Sequence, residues 1–205
     1  MKREDISKLI TGDFMFYASD GGFVGEGIDV CENLSFGAVF DTKQSHFEMM
    51  VSPGEIVGMN PPHPYRRLIT SLSDAELARI TPRRPYLPPL AGDSCPFAPG
   101  LDSEFQKCLN KVVISHMGDF YDFPLIGWFA GAKFADWIGC PGIAEAMYKR
   151  NRDSRSNFEV CSTWGVRNFR EAVFHLYGYK IPCPISGEGD ETPAELAGIA
   201  WLANI

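Results

Sequence analysis

A histidine stands where a strand opens and, far downstream, a cysteine stands where a helix opens. That order constrains the fold more than any other feature of this chain. Cys161 follows the apolar approach Phe158-Glu159-Val160 and leads into Ser162-Thr163-Trp164-Gly165-Val166, a helix-like run. His46 lies in Ser45-His46-Phe47-Glu48-Met49-Met50, a strand-like segment. A thiolate nucleophile needs a base within hydrogen-bond reach. A helix start offers unpaired N–H groups and the positive end of a dipole, which favour a thiolate and can hold an oxyanion. A chain that uses both must bring the start of a late helix onto an early strand.

Each residue also has a plainer reading. Free cysteine is among the most buried residue types, so Cys161 can simply pack the helix start. His46 can be a satisfied structural histidine. Of the other three, His116 and His175 fall inside amphipathic helical segments, and His63 is locked between prolines. A third polar group should orient the base. Ser52-Pro53-Gly54-Glu55 reads as a tight turn between the strands 44–51 and 56–59, which returns Asn60 alongside His46. The Asn60 side-chain carbonyl would then accept Nδ1–H, and Asn60 is the preferred partner. Glu48 is the competitor, two residues on from His46 and on the same strand face. Its plain alternative is a solvated carboxylate on the sheet surface. His63 is a weaker candidate.

With 205 residues and 22.8 kDa the chain is expected to form one domain. The net charge of -7 argues against nucleic acid as a partner, since phosphate binding needs clustered Lys and Arg. The one compact basic group, Lys149 to Arg155, reads as a solvated loop. The six cysteines are scattered, with no CxxC pair and no zinc spacing, so no metal and no cofactor is expected. The N-terminus carries no apolar core of signal-peptide length. The longest apolar run, Leu125 to Ile138, contains Lys133 and Asp136 and is too short to span a bilayer, so stable membrane insertion is not expected. Reduced thiols in a cytoplasm are the expectation, with non-classical export the other route.

Periodicity and punctuation predict further elements. A short strand covers Phe14 to Tyr17, and a short helix is expected over Phe23 to Asn33. Asn60-Pro61-Pro62-His63-Pro64 stops the second hairpin strand. Ser73-Asp74-Ala75-Glu76 starts a helix by its N-cap and acidic first turn. The proline-rich stretch of about 81–100 is expected as an ordered surface excursion that can wall a pocket. Asp102 to Met117 is an amphipathic helix with Phe105, Leu109, Val112 and Val113 on one face. Leu125 to Ile138 is expected as a buried helix. Cys161 to Tyr177 is another, with Phe169, Ala172, Val173 and Leu176 inward and Gly178 as its stop. Thr192-Pro193 opens a last helix.

Four short motifs, in this order, resemble the permuted NlpC-type (YiiX-like) cysteine hydrolases, a branch of the papain-like superfamily that includes lecithin:retinol acyltransferase relatives. They are Gly12-Asp13 before a strand, Ser45-His46 opening a strand, Tyr121-Asp122 ahead of an apolar segment, and Cys161-Ser162 at a helix start. In papain the cysteine comes first; here the histidine does, as a circular permutation would give. The resemblance implies one α+β domain over 1–205, with a permuted papain-like fold and a small antiparallel sheet packed on helices. It implies a cysteine peptidase or amidase. Cys161 would be the nucleophile, His46 the base, Asn60 or Glu48 the orienting group, and Tyr121 a contributor to the oxyanion hole. The implied substrates are cell-wall-type peptides or lipid-linked acyl groups. A soluble peptide or amide is preferred, because an acidic chain without a basic amphipathic helix has little means of holding an anionic bilayer. The chain departs from the family after the hairpin turn. An acidic strand such as Ile-Glu-Ala is usual there, and this sequence reads Ile56-Val57-Gly58-Met59-Asn60. Other classes that fit are a non-catalytic binding or interaction protein on the same fold, and a lipid acyl hydrolase or acyltransferase.

Overall fold

A computed structural model of the chain describes residues 1–18, 44–60, 62–87, 96–121, 131, 134–135, 138–143, 146, 158–159, 161–181 and 202–205. The expected helices at Phe23–Asn33 and from Thr192, most of Leu125–Ile138, and the basic group at Lys149–Arg155 lie outside the described residues.

Strand β1 (Phe14–Ala18) is a continuous apolar run, the pattern of a strand covered on both sides. It pairs antiparallel with β2 (Gln44–Ser52), which turns back into β3 (Glu55–Asn60). Strands β4 (His63–Leu68), β5 (Ile80–Pro85) and β8 (Leu202–Asn204) complete a six-stranded sheet of order β4-β3-β2-β1-β5-β8, antiparallel throughout. A separate parallel pair joins β6 (Phe120–Tyr121) to β7 (Phe158–Glu159). The helices are α1 (Asp74–Ala78), α2 (Ser103–Ser115) and α3 (Cys161–Tyr177). The architecture is mixed α/β, a small antiparallel sheet with helices.

Alternation along the strands divides the core in two. Phe14, Phe16, Phe47, Met49, Val57 and Met59 face α2 and α3, where they meet Phe105, Leu109, Val113, Trp164 and Phe169. Phe14 lies edge-on to Phe47 and Phe169, with ring centres 5.0 and 5.1 Å away. Burying each such side chain contributes roughly 1.5–3 kcal/mol. On the opposite face Met15, Tyr17, Met50, Ile56 and Ile80 pack under Leu9, Ile69, Leu72 and Leu77. His46 and Glu48 alternate with Phe47 and Met49, so they share the face of Met50 and Tyr17.

Local signals behave as their chemistry dictates in several places. Ser73 caps α1, and its hydroxyl and the Glu76 carboxylate satisfy each other's backbone N–H groups. Asp102 caps α2 by accepting from the Glu104 N–H at 2.9 Å. Helix α3 runs from Cys161 and stops at Gly178, but Leu176 is 36% exposed rather than inward. The fully buried stripe of α3 ends with Val173, and Tyr177 and Ile181 carry the packing on from there.

Two expectations are corrected by the prolines. The chain does leave β3 at Asn60, but it turns straight back into β4. That strand is an edge, where Pro64 can lack its N–H without cost to the ladder. The proline-rich stretch is likewise not all excursion, since its first residues form β5. Strand β8 covers only Arg83 to Pro85 of β5, so at Pro82 the outer side meets no strand among the described residues. The Arg84 guanidinium meets Asp13 in a two-pronged ion pair, Nε to Oδ1 at 2.9 Å and Nη2 to Oδ2 at 2.8 Å. Asp13 is fully buried, and its Oδ2 also accepts from the Ile10 N–H. The acid of Gly12-Asp13 therefore ties the start of β1 to β5.

Candidate active site

Cys161 is the first residue of α3 and only 3% exposed. What brings it to β2 is Gly165, one turn further along. A Cβ added at Gly165 would lie 2.1 Å from the Phe47 ring, so only a glycine lets the helix sit this low on the strand. Phe47 is the neighbour of His46 in sequence. The contact therefore sets the start of α3, the positive end of its dipole, beside the imidazole.

The Cys161 sulfur acts electrostatically on the His46 ring. Burial by itself would pull the imidazole down. The Cys161 sulfur, and after it Glu48, reverse that and push His46 up to about 9. Its side chain remains 21% exposed.

Behind His46 lies Glu48, fully buried rather than solvated on the surface. Its carboxylate accepts hydrogen bonds from the Tyr17 and Tyr65 hydroxyls and from Arg67 Nη2, the last at 2.7 Å. Burial would raise this acid. His46, Arg67 and Tyr17 outweigh it and hold Glu48 below the ordinary carboxylate range. Burial, then the Glu48 charge, pushes both phenols well up, so they stay protonated. His46 Nε2 lies 3.0 Å from the Tyr65 oxygen and 3.9 Å from Glu48 Oε1.

The register explains how four strands supply one cluster. Tyr17 faces His46 across β1 and β2. Glu48 faces Gly58, and Gly58 faces Tyr65, so the three stand in one row. A Cβ at Gly58 would lie 2.8 Å from both Glu48 Cγ and the Tyr65 oxygen. Gly58 leaves room on β3, and the acid of the cluster comes from β2.

The structure thus brings together Cys161, His46 and Glu48. Asn60 pairs through its backbone with His63 at the end of β3 and is solvent-exposed. The Tyr121 backbone pairs with Glu159, two residues before Cys161; its side chain lies outside the described residues. His63 sits apart, its Nδ1 3.2 Å from the Asp119 carbonyl oxygen. His116 caps α2, accepting from Arg167 at Nδ1 and reaching Glu171 from Nε2 at 3.1 Å, so it ties α2 to α3. His175 bonds to the same Glu171.

Tyr17, Tyr65 and Arg67 were not legible as site residues. Tyr65 and Arg67 are two apart and so share a strand face, which was the available signal. The prolines around His63 hid the strand that carries it. No group of His, Cys, Asp and Glu among the described residues is arranged to hold a metal, and no described helix is long and apolar enough to cross a membrane. The chain matches no protein-family model and no curated protein.

Proposed function

We propose that the chain is a thiol hydrolase that cleaves an amide bond, on a permuted papain-like fold of the NlpC type. What supports this reading is the seating of α3 on β2 at Gly165 and Phe47, which sets Cys161, the first residue of the helix, beside His46, an imidazole that the sulfur and Glu48 push up to about 9. An imidazole held in its charged form beside a sulfur puts a proton donor in place for a cysteine nucleophile.

The Cys161 sulfur attacks the carbonyl carbon, and the carbonyl electrons move to oxygen, which the backbone N–H of Cys161 stabilises. As the tetrahedral adduct collapses, the C–N bond breaks and the leaving amine takes a proton from His46. A water then gives a proton to His46 and attacks the thioester. The acid departs and the thiolate returns. Glu48 provides the negative charge beneath the imidazole, the role that hairpin register alone would have given to Asn60.

A soluble peptide or amide of cell-wall type is the preferred substrate, because the net charge of -7 disfavours an anionic bilayer. The test is a parallel assay of the purified chain on muropeptides and short-chain acyl esters, with Cys161→Ala as the blank. Cys161-dependent release of amine from a peptide supports the proposal; Cys161-dependent ester or lipid cleavage with no peptide cleavage reassigns it to acyl hydrolysis. The 3% exposure of Cys161 favours a second reading, a binding protein in which the thiol is a packing group. Absence of turnover on both substrate types, together with a thiol inert in the folded state, selects that reading.

A further inference from the structure

We infer that Tyr65 is the positioning residue that fixes the tautomer of His46, its hydroxyl linking the ring to Glu48 by hydrogen bonds while the Glu48 charge acts across the gap. This rests on the reading of Cys161 and His46 as a catalytic pair. Donors and acceptors set the ring's protonation. An ionised carboxylate only accepts, and a phenol has a single proton to give. Tyr65 donates that proton to Glu48 Oε1. Its oxygen can therefore only accept from His46 Nε2, 3.0 Å away. Nε2 must then carry a hydrogen, and Nδ1 is the ring nitrogen left to exchange a proton with the Cys161 sulfur.

Glu48 does not substitute for Tyr65 as it stands. At 3.9 Å its Oε1 is beyond hydrogen-bond reach of Nε2, and turning toward it would loosen the 2.7 Å bond from Arg67. The fold is also shaped around the phenol. The hydroxyl crosses the face of β3 over Gly58, where any side chain would collide with it. The Arg67 guanidinium lies 5.5 Å from the centre of the Tyr65 ring and limits its swing. Tyr65 therefore does for this imidazole what a directly bonded carboxylate or amide does elsewhere, and the buried acid sets which way the phenol proton points.

The experiment uses the full chain and two readouts. One is the rate of iodoacetamide alkylation of Cys161, resolved by peptide mass mapping, as a function of pH. The other is the nitrogen NMR signature of the His46 tautomer, read above about pH 9 where the ring is neutral. Tyr65→Phe should slow alkylation near neutral pH by roughly 10- to 100-fold, the scale of a lost hydrogen bond to a charged group, and turn the single Nε2–H tautomer into a mixture. Gly58→Ala, which keeps every polar group but displaces the phenol, should move both readouts the same way. His46→Ala is the reference for complete loss, and circular dichroism confirms that each variant is folded. If His46→Ala collapses alkylation while both folded variants match wild type in rate and tautomer, Tyr65 is not the positioning residue. If His46→Ala leaves alkylation unchanged, the catalytic pair itself fails, and this inference with it.

Discussion

Glu48 and Gly58 face each other across β2 and β3, and the side chain missing at Gly58 is what admits the Tyr65 hydroxyl to the carboxylate. Gly58→Ala should therefore destabilise the fold by about 1–3 kcal/mol, the usual scale of overpacking. Urea unfolding monitored by tryptophan fluorescence would show it as a lower midpoint at unchanged slope. Gly58→Ala with wild-type stability would mean that the row Glu48-Gly58-Tyr65 is looser than described.

Gly165 performs the same service for the helix. Gly165→Ala would place a methyl against the Phe47 ring, and α3 would have to lift from β2. Stability should fall by about 1–3 kcal/mol or more. Cys161 alkylation should lose its dependence on His46, because the lift separates the two. Gly165→Ala paired with Phe47→Leu should recover part of both losses.

The titration of His46 has a definite sign. A basic group whose folded value exceeds its unfolded one stabilises the fold in its charged form. Here that contribution is present in full below the ordinary 6.5 and is lost as the pH rises through about 9. Glu48 is the mirror case: it contributes above the ordinary 4.5, and the contribution is lost as the pH falls through its lower folded value. The urea stability of wild type minus that of His46→Gln should shrink from neutral to alkaline pH. The same difference for Glu48→Gln should shrink toward acid pH. Opposite slopes would remove the basis for a charged pair.

Asp13 is fully buried, and the Arg84 side chain is 18% exposed. Burial raises the Asp13 carboxyl, and Arg84 only partly opposes it. Arg84→Met should cost about 3–5 kcal/mol, since it leaves an uncompensated acid in the core. Adding Asp13→Asn should restore much of that. Equal stability of the single and double variants would show that the ion pair does not couple the start of β1 to β5.

Much of the frame was legible because it depends on neighbours in sequence. The spacing of Phe105, Leu109, Val112 and Val113 defines α2, the Ser73–Glu76 box starts α1, and the Pro53-Gly54 turn closes the β2–β3 hairpin. Cys161 and His46 stood out for the same reason, Cys161 at the start of its helix and His46 near the start of its strand. The surroundings of Glu48 were not legible. Tyr17, Tyr65 and Arg67 reach it from β1 and β4, so its burial depends on strand register across long sequence separations. Strands β4 and β5 were hidden because Pro64 and Pro82 read as breakers until the sheet shows that each sits where no ladder bond is needed. Asn60 looked apt because the hairpin returns it toward His46, but the chain turns outward there and leaves it in solvent.

The central claim is that Cys161 and His46 act as one reactive unit. The most direct test is competitive labelling of the native chain with limiting iodoacetamide at mildly acidic pH, followed by mass mapping of all six cysteines, for wild type and His46→Ala. The account predicts that Cys161 takes most of the label in wild type, despite its burial, and that His46→Ala abolishes the preference. Label distributed over the other cysteines in wild type, or preferential labelling of Cys161 that survives His46→Ala, would contradict it.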